Sequence, residues 1–302
     1  MKLSSINAEM VRSEGAEHVC HEVTKELGIR DFLVRHMGWD ERDTDIAILQ
    51  IIARAVAPGS ELATSKYLQR ESSLNEMFNF ADDEITKDDL YESALRLFGC
   101  HEQMEDYLHD RVSTLFGLKD AVVIIDLTNS NFEGRMSSSK ICKRGRNKQK
   151  RNDCKQVALA LVVDRYGFIV RSVIYNGNVA DVTTLREVMS GLSPALSTSL
   201  TAADGKHVVV MDSGFASAEN IDWLKNNGFH YITVMRSSGA EYSLEGPTST
   251  VYDQDGQPIH LTKAVMESPA DNLVLVESHS KTLKERAMYD QAIKDTRLSS
   301  SK

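Results

Sequence analysis

The chain has 302 residues, of which 41% are hydrophobic and 26% charged, with only 5 Pro and 4 Cys. This is the composition of a soluble globular protein, and it excludes collagen-like, disordered and disulfide-built classes. The length suffices for one large or two ordinary domains with a buried core. No apolar run approaches the ~18 residues of a membrane span, and the first residues lack a secretory signal, so we expect a cytoplasmic protein with reduced thiols.

Charge is distributed unevenly along the chain. The net charge of −9 at pH 7 argues, taken alone, against a nucleic-acid partner, because phosphate binding needs a positive field. Residues 1–119 hold 13 Lys and Arg against 23 Asp and Glu, a net charge of −10. Residues 135–155, the basic segment, hold 9 Lys and Arg against one acid, a net charge of +8. An acidic chain therefore contains one strongly basic block.

Apolar residues at helical spacing predict that the first part is helical. The spacing indicates helices over about 42–57 and 101–116, with a third between them. Pro58-Gly59 ends the first helix, and Thr86 to Asp89 resembles a capping box, with Gly99 as the stop of that helix. We interpret three apolar stripes as helix-bundle core: Ile46, Leu49, Ala53 and Val56; Leu90, Tyr91, Ala94, Leu97 and Phe98; Met104, Leu108, Val112 and Leu115.

From residue 121 the pattern changes to short runs rich in Val and Ile, which suit buried strands. Strands are predicted over 121–127, 156–163, 168–175, 207–211 and 229–235, and helices from near Asp181 and over 217–227. This order fits a three-stranded meander extended by two crossovers, as in the ribonuclease H-like fold. A doubly wound nucleotide-binding sheet is the alternative, but the chain has no G-x-G-x-x-G or Walker motif.

Beyond Arg236 the chain becomes rich in Ser, Gly and Thr. Asp255-Gly256 indicates a hairpin, residues 273–276 a strand, and residues 281–298 a charged helix. The predicted fold class is α/β or α+β, with a helical N-terminal domain followed by a ribonuclease H-like mixed-sheet core. The predicted domains are 1–119, which is helical; 120–236, the mixed-sheet core; and 237–302, which has strands and a charged helix.

Two aspartates share one sequence context. Asp126 follows VVII and Asp212 follows VVVM, each at the expected carboxyl end of a buried strand, which is the edge where open α/β sheets bind ligands. A carboxylate at such a place is costly to bury unless it is paired or holds a cation. Two on neighbouring strands therefore indicate a site for Mg²⁺ or Mn²⁺. The alternative is that each aspartate caps the turn after its strand.

The basic segment begins 9 residues after Asp126, before the second strand. A positive loop beside a two-carboxylate metal site suits an enzyme that acts on a phosphodiester backbone. A solvated charge run is the alternative. The candidate DNA-binding residues are Lys140, Lys143, Arg144, Arg146, Lys148, Lys150, Arg151 and Lys155.

The middle part carries four motifs in a row. They are D-x-T from Asp126, Gln156 at the start of the second strand, G-N-x-x-D at 177–181, and D-x-G-x-x-S-x-E-N from Asp212 to Asn220. With these motifs, residues 120–236 resemble the catalytic core of bacterial insertion-sequence transposases of the Asp-Asp-Glu type. The most similar group has a β-rich insertion between the second Asp and the Glu.

This resemblance implies domain roles, a reaction, a cofactor and partners. Residues 1–119 would serve DNA binding or dimerisation, residues 120–236 would be the catalytic core, and residues 237–302 would be a partial β-rich insertion with a charged helix. Asp126 and Asp212 would be the first two catalytic carboxylates and would bind two Mg²⁺ or Mn²⁺ ions. The ions would activate water, and then a DNA 3′ hydroxyl, for attack on phosphodiesters. The implied partners are insertion-sequence ends, target DNA and a second copy of the chain in a synaptic homodimer.

Three features depart from the family pattern. The family's Glu lies in a Tyr-x-x-Arg-x-x-x-Glu setting that this sequence lacks, and Glu277 and Glu285 precede its expected place and are assigned no role. The charge of the helical part is poor for a nonspecific DNA clamp and favours either oligomer contacts or the reading of DNA through a few local basic residues. The short length predicts a truncated form that ends within the insertion. Two alternatives stay open: a non-catalytic DNA-binding or oligomerising remnant, and a ribonuclease H-like nuclease.

Overall fold

The computed structural model describes residues 11–118, 122–145, 153–192, 206–235, 241–266 and 272–300. Its contacts divide the chain into two compact units, Met1–Val234 and Met235–Lys302. The first unit holds a group of helices and a five-stranded sheet, and the second holds a three-stranded sheet and a long helix. The helical part and the larger sheet thus belong to one compact unit.

The N-terminal part is helical, as predicted. Its helices are α1 Gly15–Glu26, α2 Ile29–Asp31, continued by a π-helical turn Phe32–His36, α3 Glu41–Val56, α4 Glu61–Arg70, α5 Leu74–Met77, α6 Lys87–Gly99 and α7 His101–Phe116. The predicted capping box is complete: Thr86 accepts from the backbone N of Asp89, and the Asp89 side chain accepts from the backbone N of Thr86. The hydrogen bond from the Thr86 side chain lowers the pKa of Asp89.

The predicted helical core is confirmed in α3 and only partly in α6. Leu49 and Leu90 are completely buried, but Tyr91 is 46% and Phe98 54% exposed. Successive residues on a helix lie about 100° apart, so the pairs 90–91 and 97–98 cannot both face one narrow core. α6 ends at Gly99, as predicted, although this glycine is not left-handed, and a left-handed glycine cap, Gly117, ends α7.

The larger sheet has the predicted ribonuclease H-like topology. Its elements are β1 Val122–Phe132, β2 Lys155–Asp164, β3 Ile169–Asn176, α8 Asp181–Gly191, β4 His207–Met211, α9 Ala218–Asn226 and β5 Phe229–Thr233. The strand order is β3-β2-β1-β4-β5. β2 is antiparallel to β1 and β3, while β4 is parallel to β1 and β5. The antiparallel meander excludes the doubly wound alternative, whose strands would all be parallel.

One face of this sheet is buried and the other is more open. Along β1, Val123, Ile125 and Leu127 are buried, whereas Ile124 and Asp126 are exposed. The buried face packs in one core with residues of the two crossover helices: Leu185, Val188 and Met189 of α8 and Leu224 of α9. The period-two alternation of the strand therefore places Asp126 on the open face.

A buried ion-pair cluster joins α7 to the edge strand β3. Arg171 is 5% exposed, and its Nη2 lies 2.5 Å from Asp106 Oδ1 while Nη1 lies 3.6 Å from Glu105 Oε2. Nη1 also donates to the carbonyl of Glu102 at 3.3 Å. The backbone N of Ser172 donates to Glu105 at 3.1 Å, and so does the Ser172 hydroxyl. Sequence patterning gave no sign of this cluster, because none of its members belongs to an apolar stripe or a motif.

The second unit contains the predicted hairpin and helix. β6 Ser243–Tyr252, β7 Pro258–Val265 and β8 Leu273–Ser278 form an antiparallel sheet, followed by α10 His279–Ser300. In the β6–β7 turn, the Asp253 side chain accepts from the backbone N of Asp255 and of Gln257. Gly256 has φ 71°, a left-handed conformation that favours glycine.

The state of the cysteines and the apolarity of the helices bear on two sequence-based expectations. The four cysteines, Cys20, Cys100, Cys142 and Cys154, are free thiols. Within the described ranges, no individual helix is long and apolar enough to cross a membrane. The helices α3 and α4 pass that test only as a pair, and they are bent by 91° at the break between them.

Replacing Arg171 by alanine should destabilise the first unit strongly. The substitution removes a buried cation and leaves the partly buried Glu105 carboxylate without it, a change that costs up to about 3 kcal/mol. Arg186→Ala is the matched control, since the Arg186 side chain is 47% exposed and its loss should cost no more than about 1 kcal/mol. Urea denaturation of both variants measures the difference, and equal costs would mean that the cluster does not anchor α7.

Candidate functional site

The parallel pairing of β1 with β4 brings the two sequence-predicted aspartates to neighbouring positions. The register pairs Ile125 with Met211, so that Asp126 and Asp212 are the next residue on each chain. Neighbouring strands lie about 4.8 Å apart. Both aspartates follow a buried residue and are themselves exposed. They therefore share the open face of the sheet at the point where β4 ends.

The positions and the burial of the two aspartates differ from what the sequence predicts. Asp126 lies in the middle of β1, which continues to Phe132, rather than at the end of its strand. The extra length is paired with β2, whose register runs from Val123–Asp164 to Phe132–Lys155. Asp126 and Asp212 are also exposed rather than buried, so the cost of burying a carboxylate is not an argument for a metal at this site. The proximity of the two carboxylates still favours a metal site here.

The capping role weighed for the aspartates is present at Asp212. Its Oδ1 accepts from the hydroxyl of Ser213 at 2.9 Å and from the backbone N of Gly214 at 3.1 Å. The backbone N of Phe215 donates to the carbonyl of Asp212 at 3.1 Å, which closes the turn. A carboxylate has two oxygens and about four lone-pair sites, so capping does not prevent it from also binding a cation.

The rest of the Asp212 motif holds this turn in place. Phe215 is completely buried under the sheet, and Ser217 caps α9 by accepting from the backbone N of Asn220 at 3.2 Å. The Asn220 side chain donates to the carbonyls of Phe215 at 2.9 Å and of Val182 at 2.8 Å. These bonds tie the turn after β4 to the start of α8. The spacing of the motif therefore has a physical basis in one turn and one helix cap.

The two carboxylates suit a hard divalent cation. Mg²⁺ prefers oxygen ligands, keeps several waters and is commonly held by one or two carboxylates together with substrate phosphates. Asp126 and Asp212 offer such a donor pair on an open face that a substrate can reach. The described residues contain no cluster of three or more His, Cys, Asp or Glu side chains able to hold a metal. Within those ranges the donor set is thus a pair of aspartates.

The basic segment is described at its two ends. Lys140, Lys143 and Arg144 are exposed. The Lys155 amine donates to the carbonyl of Met136 at 2.9 Å, so this predicted DNA contact also makes a bond within the loop. The other candidates, Arg146, Lys148, Lys150 and Arg151, lie outside the described residues.

The late acidic residues lie in the second unit. Glu277 is on β8 and exposed, and Glu285 is on α10, where its carboxylate lies 3.9 Å from the amine of Lys281. Neither received a role from the sequence. Asp181, the last residue of the G-N-x-x-D motif, is a further carboxylate near the turn of Asp212. It begins α8, and its Oδ2 would be 2.5 Å from a Cβ built on Gly214.

Removing the Asn220 side chain should loosen the turn after β4. Asn220→Ala removes two hydrogen bonds made by a buried side chain and should lower the free energy of unfolding by about 2 kcal/mol, at about 1 kcal/mol for each bond. Asn227→Ala, at the exposed end of the same helix, removes a single bond to Trp223 and should cost less than about 1 kcal/mol. Urea denaturation compares the two variants, and an Asn220 effect no larger than that of Asn227 would contradict this assignment.

Comparisons with known proteins complete the description of the site. Residues 117–290, more than half of the chain, match the family described as Transposase DDE domain. A search of curated proteins found no match. Among solved structures, a Mos1 transposase paired-end complex with left transposon end is similar at 12% identity and a TM-score of 0.25. That alignment covers 62% of this chain and 57% of the solved chain.

Proposed function

The chain belongs to the Transposase DDE domain family, and from this premise we propose that it binds DNA and catalyses divalent-metal-dependent strand cleavage and strand transfer. The substrates we propose are the ends of an insertion sequence and a target DNA. The observation that carries this proposal is the pairing of β1 with β4. It sets Asp126 and Asp212 side by side on the open face of the sheet.

The proposed role of the two aspartates is to hold and orient a divalent metal ion. Their carboxylates would bind Mg²⁺ or Mn²⁺, and the bound ion supplies activation of an oxygen nucleophile and neutralisation of charge on the phosphodiester. The bonds from Ser213 and Gly214 fix the rotamer of Asp212, so its carboxylate has a defined direction. The exposure of both carboxylates leaves room for the bulky DNA backbone.

The proposed role of the basic segment is to hold the DNA backbone. Lys140, Lys143 and Arg144 are exposed cations in the connection that follows β1. Phosphate contacts of this kind give affinity without sequence information. The helical part carries a net charge of −10, and we propose that it serves homodimer formation rather than nonspecific DNA contact.

Neutralising either aspartate should abolish cleavage without abolishing DNA binding. For Asp126→Asn and for Asp212→Asn, we expect the rate of Mg²⁺-dependent nicking to fall by about 100-fold or more, because metal binding supplies several kcal/mol of transition-state stabilisation. The assay uses the full chain and a supercoiled plasmid carrying the DNA that flanks its gene. Asp222→Asn, an exposed aspartate of α9, is the matched control and should nick like the wild type.

The outcomes separate the proposed enzyme from its alternatives. Wild-type activity in both site variants would refute the assignment of Asp126 and Asp212. DNA binding by the wild type without any Mg²⁺-dependent nicking would favour the non-catalytic remnant. Cleavage of RNA or of structured DNA in preference to the flanking DNA would favour the nuclease.

Neutralising the described cations of the basic segment should weaken DNA binding on every sequence. Changing Lys140, Lys143 and Arg144 together to Gln should flatten the dependence of log K on log salt by about 2.7, at about 0.9 for each phosphate contact. Fluorescence anisotropy over a salt series measures this slope. A control with the same charge change replaces Lys66, Arg70 and Lys87, which are exposed on the acidic helical part. Equal slopes for the two variants would remove the basic segment from the DNA interface.

A further inference from the structure

The basic segment is joined to the sheet at one buried junction. Lys143 and Gln156 exchange two backbone hydrogen bonds, of 3.0 and 2.9 Å. The backbone N of Gly177 donates to the carbonyl of Ile141 at 3.1 Å. Gln156 is completely buried, and its Nε2 donates to the carbonyl of Gly177 at 2.6 Å. The described end of the segment is thus bonded to the start of β2 and to the residue after β3.

Two glycines allow this junction to close. A Cβ on Gly145 would lie 2.2 Å from the carbonyl O of Gly177 and 2.7 Å from Gln156 Nε2. A Cβ on Gly177 would lie 1.9 Å from the carbonyl O of Gln156. Neither glycine has the left-handed φ that would explain its presence by backbone conformation. Close approach of backbone to backbone is therefore the reason for glycine at both positions.

The junction holds exposed cations at a fixed distance from the aspartates. Lys143 and Arg144 are exposed and directly precede Gly145. Along β1, Gln156 pairs with Asn131 whereas Leu161 pairs with Asp126, a separation of five residues. Five residues of strand span about 17 Å, which is half of one ~34 Å turn of B-DNA. Measured along the strands, the junction and the aspartates are therefore about half a duplex turn apart.

The same turn that closes this junction also contacts the turn of Asp212. Gly177 leads within four residues to Asp181, the first residue of α8. A Cβ on Gly214 would lie 2.5 Å from Asp181 Oδ2, so Asp181 packs directly against the turn of Asp212. The Asn220 side chain, which donates to the carbonyl of Val182, reinforces this contact. One short segment thus contacts both a candidate DNA-holding element and a candidate catalytic turn.

We propose that the Gly177–Asp181 turn is a positioning element. Through Gly145 and Gln156 it fixes residues 141–145, the described end of the basic segment, relative to the turn of Asp212, which it contacts through Asp181. This inference rests on the proposed function and adds to it the means by which bound DNA is aligned with the two aspartates. Gly145 and Gly214 are positioning residues, since neither has a side chain to touch DNA or metal.

The first test is Gly145→Ala, with Gly134→Ala as its control. Gly134 lies in the same connection between β1 and β2, and a Cβ there meets nothing within 4 Å. Gly145→Ala should displace Lys143 and Arg144, flattening the salt dependence of DNA binding by about 1.8, as neutralising both cations does. When Gly145→Ala is added to the Lys143→Gln, Arg144→Gln variant, the salt dependence of DNA binding should not change further.

The second test is Gly214→Ala, with Gly191→Ala as its control. Gly191 ends α8, and a Cβ there meets nothing within 4 Å. Gly214→Ala should keep the DNA affinity within about twofold but lower the nicking rate at saturating DNA by about 10- to 100-fold, since displacement of a catalytic group by an ångström has effects of this size. The separation of rate from affinity distinguishes positioning from a general loss of structure.

The results decide between this inference and the proposed function. If the wild type does not bind DNA, or if neutralising the described cations leaves the salt slope unchanged, the proposed function of the basic segment fails. If the wild type binds through those cations while Gly145→Ala binds as the wild type does, the positioning inference alone is overturned. Should Gly145→Ala not fold, Gln156→Met removes the donor to Gly177 without adding a clash, and an unchanged salt slope in that variant overturns the inference equally.

Discussion

The parallel pairing of β4 with β1 is the constraint on which the site depends. Four register pairs, from Val122–Val208 to Ile125–Met211, set the phase of both strands. Because side chains alternate along a strand, this phase buries Ile125 and Met211 and turns the next residue of each chain to the open face. A slip of one residue would send one aspartate into the hydrophobic core. The crossover helix α8 stabilises this register, because its completely buried Leu185 packs in one core with the buried face of the sheet.

Close contacts at glycines connect this sheet to its loops. Around this sheet, Gly145, Gly177 and Gly214 stand where a Cβ would meet another group at 2.5 Å or less. Each contact joins a loop that carries charged residues to a rigid neighbour. The rigid sheet and the fixed turns therefore form one framework, and charged side chains are displayed from its surface. Such an arrangement is what a site for a large, charged substrate needs, because little ordering is left to occur on binding.

Much of the framework was predictable from the sequence. Runs of Val and Ile gave all five strands of the larger sheet, and their order gave the topology. The capping box at Thr86 and the turn at Gly256 were readable because each depends on residues adjacent in sequence. The full length of β1 is not predictable from its own residues, since the stretch from Thr128 to Asn131 is polar and is a strand because it pairs with β2.

The features that sequence reasoning missed depend on contacts between distant segments. The buried cluster at Arg171 joins residues 65 and more positions apart, and nothing local marks it. Exposure of both aspartates was missed because a run of apolar residues does not reveal which face of a sheet is covered. A lone glycine inside the basic segment, at Gly145, was the one available sign of close packing there. A glycine without a turn signal around it indicates such an approach.

Metal binding tests most directly the claim that Asp126 and Asp212 form a single site. Isothermal titration calorimetry with Mn²⁺ on the full chain, without DNA, compares the wild type with Asp126→Asn, Asp212→Asn and the double variant. The account predicts saturable Mn²⁺ binding by the wild type and weaker binding by either single variant. Because both aspartates would hold one ion, the loss of binding free energy in the double variant should be no larger than the sum of the two single losses. Equal Mn²⁺ binding by the wild type and the double variant would contradict it.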